Sequence, residues 1–285
     1  MKKILTILVL SSSILLSCKK EEKPVESDLA AETKADVSYG ADVKQKMDIY
    51  LPAKRTTANT KVLFLIHGGS WIFGDRKDLS TTIPAIQAKL PGWAIVNVSY
   101  RLGYFDVNSF PTQENDIKAA SEFIYNHREE YNISTKWAYL GLSAGGHLAM
   151  LQSYKHALPV KPLAVINYFG PSDMVALYNF ASSDFFSNAT LSYLLKGNPT
   201  TNPTLYANSS PINYITAQTP PTITLYGSAD NTVPPAQHTA LHAKLKASGV
   251  PEKLIEYPGQ QHSFDPATYN ISYTEVVNFL NTYVK

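Results

Sequence analysis

The sequence predicts an α/β fold, a mostly parallel central sheet flanked by helices. Three observations carry this. Continuous apolar runs, Val62 to Ile66 and Trp93 to Val98, read as strands covered on both faces. Such runs alternate with segments of helical spacing along most of the chain. Finally, Gly141-Leu142-Ser143-Ala144-Gly145 joins the apolar run 137–140 to the helix-compatible run 147–152. A strand, a sharp turn and a helix therefore meet at one serine, with small residues where the two elements must approach.

Residues 1–17 stand outside that fold. Lys2 and Lys3 give a positive start, Ile4 to Leu10 an apolar centre and Ser11 to Ser17 an end rich in small residues. This is the pattern of a secretory signal peptide, and its apolar run is too short to span a bilayer. Residues 19–35 are rich in Lys and Glu, contain Pro24 and carry few bulky apolar side chains, so they read as a flexible tether. Residues 36–285 then suit one large domain. The 25 basic side chains stand against 23 acidic ones, and loss of Lys2 and Lys3 with the leader brings them to parity. A neutral chain without a basic cluster gives no electrostatic case for nucleic acid as a partner.

Within the domain, Val37 to Tyr39, a turn at 40–42 and Lys46 to Leu51 read as a hairpin closed by Pro52. The runs 62–66 and 93–98 follow, separated by a helix over 83–90 that Pro91-Gly92 ends. Ile117, Ala120, Phe123 and Ile124 place a helix over 112–130. Strands are expected again at 137–142, 163–169, 222–226 and 253–257, with helices at 144–157, 235–248 and 271–283. Residues 174–212 interrupt the alternation. They are rich in Asn, Ser and aromatics (Tyr178, Phe180, Phe185, Phe186, Tyr193, Tyr206).

His67-Gly68-Gly69-Ser70-Trp71 follows the 62–66 run directly. A Gly-rich turn off a strand end exposes backbone N–H groups suited to a developing oxyanion. Together with the elbow at Ser143, this motif resembles α/β-hydrolases of the esterase and lipase kind. Phe110-Pro111, Gly170–Asp173, Ser210-Pro211-Ile212 and Asp230–Pro234 extend the resemblance over most of 45–265. It points towards bacterial feruloyl and acetyl-xylan esterases, while arylformamidases and prolyl-oligopeptidase-like hydrolases share parts of the pattern.

The resemblance implies a nucleophile at Ser143, followed in the chain by an acid and then a histidine. A serine hydroxyl needs a base to take its proton, and the base needs an acid to hold its tautomer. Asp230 lies just past the 222–226 strand and His262 past the 253–257 strand. Asp173, also at a strand end, is the second candidate for the acid. The oxyanion donors implied are the backbone N–H groups of Gly69, Ser70 and Ala144. Ser70 stands where the commoner family pattern has a third glycine; the substitution keeps the donor. No cofactor and no metal are implied.

The remaining histidines are poor bases. His67 reads as structural within its loop, and His127 and His156 lie near helix ends. His147 sits inside the helix after the elbow. His238 and His242 are four apart, but no carboxylate or cysteine completes a metal site, so they read as a solvated helix face. By the resemblance, 174–212 overhangs the site as a substrate-facing insertion. An N-terminal cap like that of hormone-sensitive-lipase-like esterases is not expected, and the site should be comparatively open.

Leu15-Leu16-Ser17-Cys18 resembles the lipobox of bacterial lipoproteins. It implies cleavage before Cys18, lipidation of its thiol and an extracytoplasmic protein held to the membrane by that anchor alone. Cys18 is the sole cysteine, so no internal disulfide competes for it. The leading expectation is a serine esterase acting on short-chain acyl esters, as small molecules or linked to polysaccharide. A peptidase or amidase is the alternative among enzymes. A binding lipoprotein without catalysis is the alternative from another class.

Overall fold

A computed structural model describes residues 27–104, 107–157, 159–180 and 188–285. The signal peptide, Cys18 and residues 19–26 of the tether lie outside the described residues, as do Phe185 and Phe186. Eight strands form one sheet: β1 (Glu32–Ser38), β2 (Lys46–Leu51), β3 (Val62–Ile66), β4 (Ala94–Val98), β5 (Trp137–Leu142), β6 (Ala164–Tyr168), β7 (Thr222–Gly227) and β8 (Glu252–Tyr257). Their spatial order is β1-β2-β4-β3-β5-β6-β7-β8. The pairs β1–β2 and β2–β4 are antiparallel, and all others are parallel.

The helices are α1 (Ile83–Lys89), α2 (Thr112–Asn126), α3 (Arg128–Tyr131), α4 (Ala144–Tyr154), α5 (Met174–Asn179), α6 (Asn188–Leu194), α7 (Pro203–Asn208), α8 (Pro235–Ala247) and α9 (Pro266–Tyr283). No helix among the described residues is long and apolar enough to cross a membrane.

The continuous apolar strands are covered on both faces, as a parallel sheet requires. Along β3, Val62, Phe64 and Ile66 enter one core with Ile117 and Ile124 of α2, Leu148 of α4 and Leu241 of α8. Leu63 and Leu65 point the other way, into a second core with Ile83 of α1 and Phe279 and Leu280 of α9. Register then aligns the strand ends. Ile66 sits beside Val98 and Gly141, Leu142 beside Tyr168, and Gly227 beside Tyr257. The loops after β3, β5, β7 and β8 consequently leave from one edge of the sheet, the place where open α/β sheets bind ligands.

Several boundaries differ from the sequence reading. The ordered hairpin starts at Glu32 rather than near Asp36, because Arg55 clasps this stretch. Its guanidinium pairs with Glu32 at 3.1 Å and donates to the Ala30 carbonyl, while Lys54 N–H donates to Leu29 O at 2.8 Å. The helix expected over 112–130 breaks at His127 into α2 and α3, and Asn132 closes α3 in the left-handed region at φ 52°. The last helix starts at Pro266, not 271. Asp265 caps it by accepting from Thr268 N–H at 2.8 Å, and proline suits its first position.

The segment 174–212 holds α5, α6 and α7 in its described part. Tyr206, one of the aromatics whose sequence context suits a packing role as well as a substrate wall, is fully buried, packs edge-on to Tyr178 at 5.7 Å and donates to Gly197 O. It is a core residue because α7 folds back under α5.

Candidate active site

At the end of β5 the chain turns through Ser143 with φ 54° and ψ −120°, a conformation that costs a non-glycine residue of order 1–3 kcal/mol. The turn is held from both sides. Ser143 N–H donates to Tyr168 O at 2.8 Å, and His147 N–H donates to Ser143 O at 3.1 Å. The flanking glycines are obligatory. A Cβ on Gly141 would lie 2.0 Å from Gly145 O, and one on Gly145 would lie 2.1 Å from Ile66 O. Strand and helix approach too closely for any side chain there.

The elbow points the serine at the loop after β8. Ser143 Oγ lies 2.8 Å from His262 Nε2, and His262 Nδ1 lies 2.8 Å from Asp230 Oδ2. The Asp230 side chain is fully buried, and its Oδ1 accepts from Thr232 N–H at 2.8 Å and Val233 N–H at 2.9 Å. A carboxylate beside Nδ1 fixes the tautomer: Nδ1–H donates to Asp230, leaving Nε2 to accept from the serine hydroxyl. Phe169 flanks the imidazole at 4.9 Å between ring centres. The structure thus brings Ser143, His262 and Asp230 into one hydrogen-bonded row. Asp173 is not in it. Its Oδ1 caps α5, accepting from Val175 and Ala176 N–H at 2.9 and 3.0 Å.

The loop after β3 faces the serine. Gly69, Ser70 and Trp71 all have positive φ, at 106°, 53° and 61°. Among the described residues, no acceptor is found for the N–H of Gly69 or Ser70. Ala144 opens α4, where the first N–H groups have no intrahelical partner and the helix dipole adds positive potential. Gly69, Ser70, Phe73, Ser143, Phe169 and His262 line a cavity of about 640 Å³. A separate apolar cleft of about 170 Å³ lies beyond Phe73, lined by Phe73, Tyr104, Val107, Ser109, Tyr193 and Leu194. Phe73 is common to both. The described part of 174–212 reaches this second cleft through Thr190, Tyr193 and Leu194, and does not line the cavity around Ser143.

The other histidines do not join the row. His67 stacks on Tyr100 at 4.2 Å, donates Nδ1–H to Gly68 O at 2.7 Å and is pushed down to about 4 by burial. His147 is buried and held down to about 4 by desolvation. His238 and His242 correct the reading of a solvated face. They are 0% and 4% exposed, because α8 lays this side on β7 and β8. His238 sits 4.8 Å from the Tyr226 ring, and burial pushes it down to about 3. His242 Nδ1 pairs with Glu252 at 2.6 Å. Among the described residues, no cluster of three His, Cys, Asp or Glu side chains is arranged to hold a metal.

Sequence reasoning did not find the Thr232 and Val233 amides on Asp230 or the place of Phe73 between two cavities. The first had a signal. Asp230-Asn231-Thr232 is an Asx-turn sequence, in which a side-chain oxygen accepts N–H groups two and three residues on. Phe73 had none, since only the fold brings Tyr104, Val107, Tyr193 and Leu194 beside it.

The sheet order, the elbow and the loops on one edge define an α/β hydrolase. Residues 47–245 match the BD-FAE family, and the chain belongs to it. It is 29% identical over 244 residues to "Probable carboxylic ester hydrolase LipM" of Mycobacterium tuberculosis, covering 81% of this chain and 56% of that one. It is 25% identical over 245 residues to Esterase LipC of the same organism, covering 80% and 59%. The chain therefore spans less than two thirds of the length of these relatives. Among solved structures it is similar to a bifunctional GH43-CE protein of Bacteroides eggerthii, with 28% identity, a TM-score of 0.71 and coverage of 88% and 38%. A truncated carbohydrate esterase from gut microbiota shares the fold at 24% identity and a TM-score of 0.70, covering 88% of this chain and 98% of that one.

Proposed function

We propose that the protein is a serine carboxylic-ester hydrolase working through an acyl-enzyme. The observation that carries this is the unbroken row Ser143–His262–Asp230, with 2.8 Å at each step. Ser143 Oγ attacks the ester carbonyl while His262 Nε2 takes its proton. The carbonyl oxygen becomes an oxyanion that accepts from the N–H groups of Gly69, Ser70 and Ala144. Asp230 stabilises the imidazolium and keeps it oriented. The intermediate collapses, His262 returns the proton to the leaving alcohol, and the acyl group stays on Ser143. Water, deprotonated by His262, then attacks the acyl-enzyme, and the acid departs as Oγ regains its proton.

The substrate reading is an ester of a short or flat acyl group, acetyl or feruloyl, on polysaccharide. The names carried by LipM, LipC and the carbohydrate-esterase structures support ester chemistry. The cavity at Ser143 leaves room for a bulky alcohol. The cleft beyond Phe73 is smaller than the ~300–1,000 Å³ of ordinary ligand pockets and has an apolar wall, which favours a short or planar acyl group over a long chain. The lipobox resemblance at Leu15–Cys18 supports a lipid-anchored, extracytoplasmic location.

The test is labelling with a fluorophosphonate, followed by a panel of p-nitrophenyl esters and an anilide. Mass addition on Ser143 and cleavage of the short esters are expected. No labelling leaves a binding protein as the reading. Activity confined to the anilide makes the protein an amidase or peptidase.

A further inference from the structure

The geometry points to His147 as a positioning residue for the oxyanion-binding loop, acting through the indole of Trp71. The inference rests on the ester-hydrolase reading above. It starts from an anomaly in the loop. Ser70 and Trp71 are consecutive non-glycine residues in the left-handed region, at φ 53° and 61°. Such a pair persists only where the surroundings over-determine it. Gly69 and Ser70 precede Trp71 in the same tight turn, so whatever holds Trp71 restrains the loop that presents their N–H groups.

Trp71 is held by its side chain and by its backbone. The indole is fully buried, and Trp71 O accepts from Gly103 N–H at 2.9 Å. Its Nε1–H donates to His147 Nδ1 at 3.2 Å, with the rings edge-on at 5.0 Å. For Nδ1 to accept, the ring proton must sit on Nε2, and the fold provides for this. His147 Nε2–H donates to Ser209 O at 2.6 Å. Both ring nitrogens are therefore used, one in each direction, in a completely buried imidazole. Protonation would turn Nδ1 into a donor facing another donor; desolvation opposes it, holding His147 down to about 4.

The same residue is tied to the nucleophile. His147 lies in the first turn of α4, and its backbone N–H donates to Ser143 O at 3.1 Å. One residue thus grips the elbow with its main chain and the oxyanion loop with its side chain. It sets the spacing between Ser143 and the N–H groups that must meet the oxyanion. Aliphatic packing would fill this volume, but it would not fix the rotation of the indole.

The experiment compares wild type, Trp71→Phe, His147→Gln and the double variant of the full chain. Substrates are p-nitrophenyl acetate and its thionoester, in which sulfur replaces the carbonyl oxygen. Sulfur accepts hydrogen bonds poorly, so the ester/thionoester ratio of kcat reports the aim of the N–H donors. Each single variant should lower kcat on the ester by about tenfold or more, short of the ~100- to 1,000-fold loss of a whole donor. KM should move less than about twofold, and the rate ratio should contract by a similar factor to kcat. The double variant should lose no more than the worse single, because both cut one hydrogen bond.

A ratio equal to wild type in Trp71→Phe, or losses that multiply in the double variant, overturns the inference. If His147→Gln does not fold, Trp71→Phe, which keeps an aromatic ring, decides alone. An unlabelled, inactive wild type sinks the ester-hydrolase reading and the inference with it. An active wild type with an unchanged ratio sinks the inference only.

Discussion

Asp230 and His262 meet through Oδ2 and Nδ1 at 2.8 Å, and the second oxygen of Asp230 is taken up entirely by main-chain donors. The carboxylate cannot rotate without losing Thr232 and Val233. Asp230→Asn should therefore cost about 10⁴-fold in kcat, since an amide NH₂ facing Nδ1 favours the wrong tautomer. Asp173→Ala should lower the melting temperature through the lost cap, about 1 kcal/mol, and leave kcat within a few fold. Steady-state kinetics on both variants checks this. The reverse pattern would move the acid to Asp173.

The elbow glycines make a stability prediction. Gly145→Ala places a methyl against the main chain of β3, whose Ile66 carbonyl cannot move without breaking the sheet. A loss at the top of the overpacking range, about 3 kcal/mol or more, is expected. Urea unfolding followed by circular dichroism reads it. A variant as stable as wild type would mean that the elbow is wider than described.

Buried neutral imidazoles make the fold sensitive to acid. His67 and His147 are depressed to about 4 and His238 to about 3, against an unfolded value of ~6.5. Below that unfolded value the unfolded chain binds protons that the folded chain refuses. Their contribution is present in full above about pH 6.5 and is lost as pH falls towards 4, at up to ~1.4 kcal/mol per pH unit for each histidine. The melting temperature should drop steadily over this window. His238→Gln should flatten the slope by about one proton, and an unchanged slope would refute the assignment.

The cleft beyond Phe73 predicts an acyl profile. On p-nitrophenyl esters, kcat/KM should be higher for acetyl to butyryl and for feruloyl than for an acyl chain of about ten carbons. Thr190 lies on the cleft wall and outside the Ser143 cavity. Thr190→Trp should lower butyrate and ferulate cleavage about tenfold relative to acetate. Equal losses on all three esters would exclude the cleft from acyl binding.

Lipidation at Cys18 is tested by fractionation. Wild type should sediment with membranes and Cys18→Ser should not, and a soluble wild type with a free Cys18 thiol would refute the anchor.

Much of this was legible in the sequence because it depends on local backbone needs. Gly141 and Gly145 bracket Ser143 for a steric reason that a five-residue motif expresses fully. Strands such as 62–66 were legible because burial on both faces demands uninterrupted apolar side chains. What escaped depends on distant partners. Glu32 to Lys34 look like tether until Arg55, some 20 residues on, is seen to hold them. His238 looks like a surface residue until α8 docks and turns its face inward. His147 reads as a helix residue because Trp71 and Ser209, its two partners, lie 76 and 62 positions away.

The place of β1 in the sheet has a mechanical consequence. It forms one margin, four ribbons away from β5 and seven from β8. A pull on the chain ahead of Ser27 would load the Arg55 clasp and the β1–β2 ladder first. Ser27 Oγ–H donates to Arg55 O at 2.7 Å, so the strain enters where that clasp is anchored. The outermost ribbon can peel as a sacrificial strip while the edge bearing Ser143 and His262 stays in register. A leash fastened at that end would load the margin of the sheet opposite β8, the strand whose following loop carries His262.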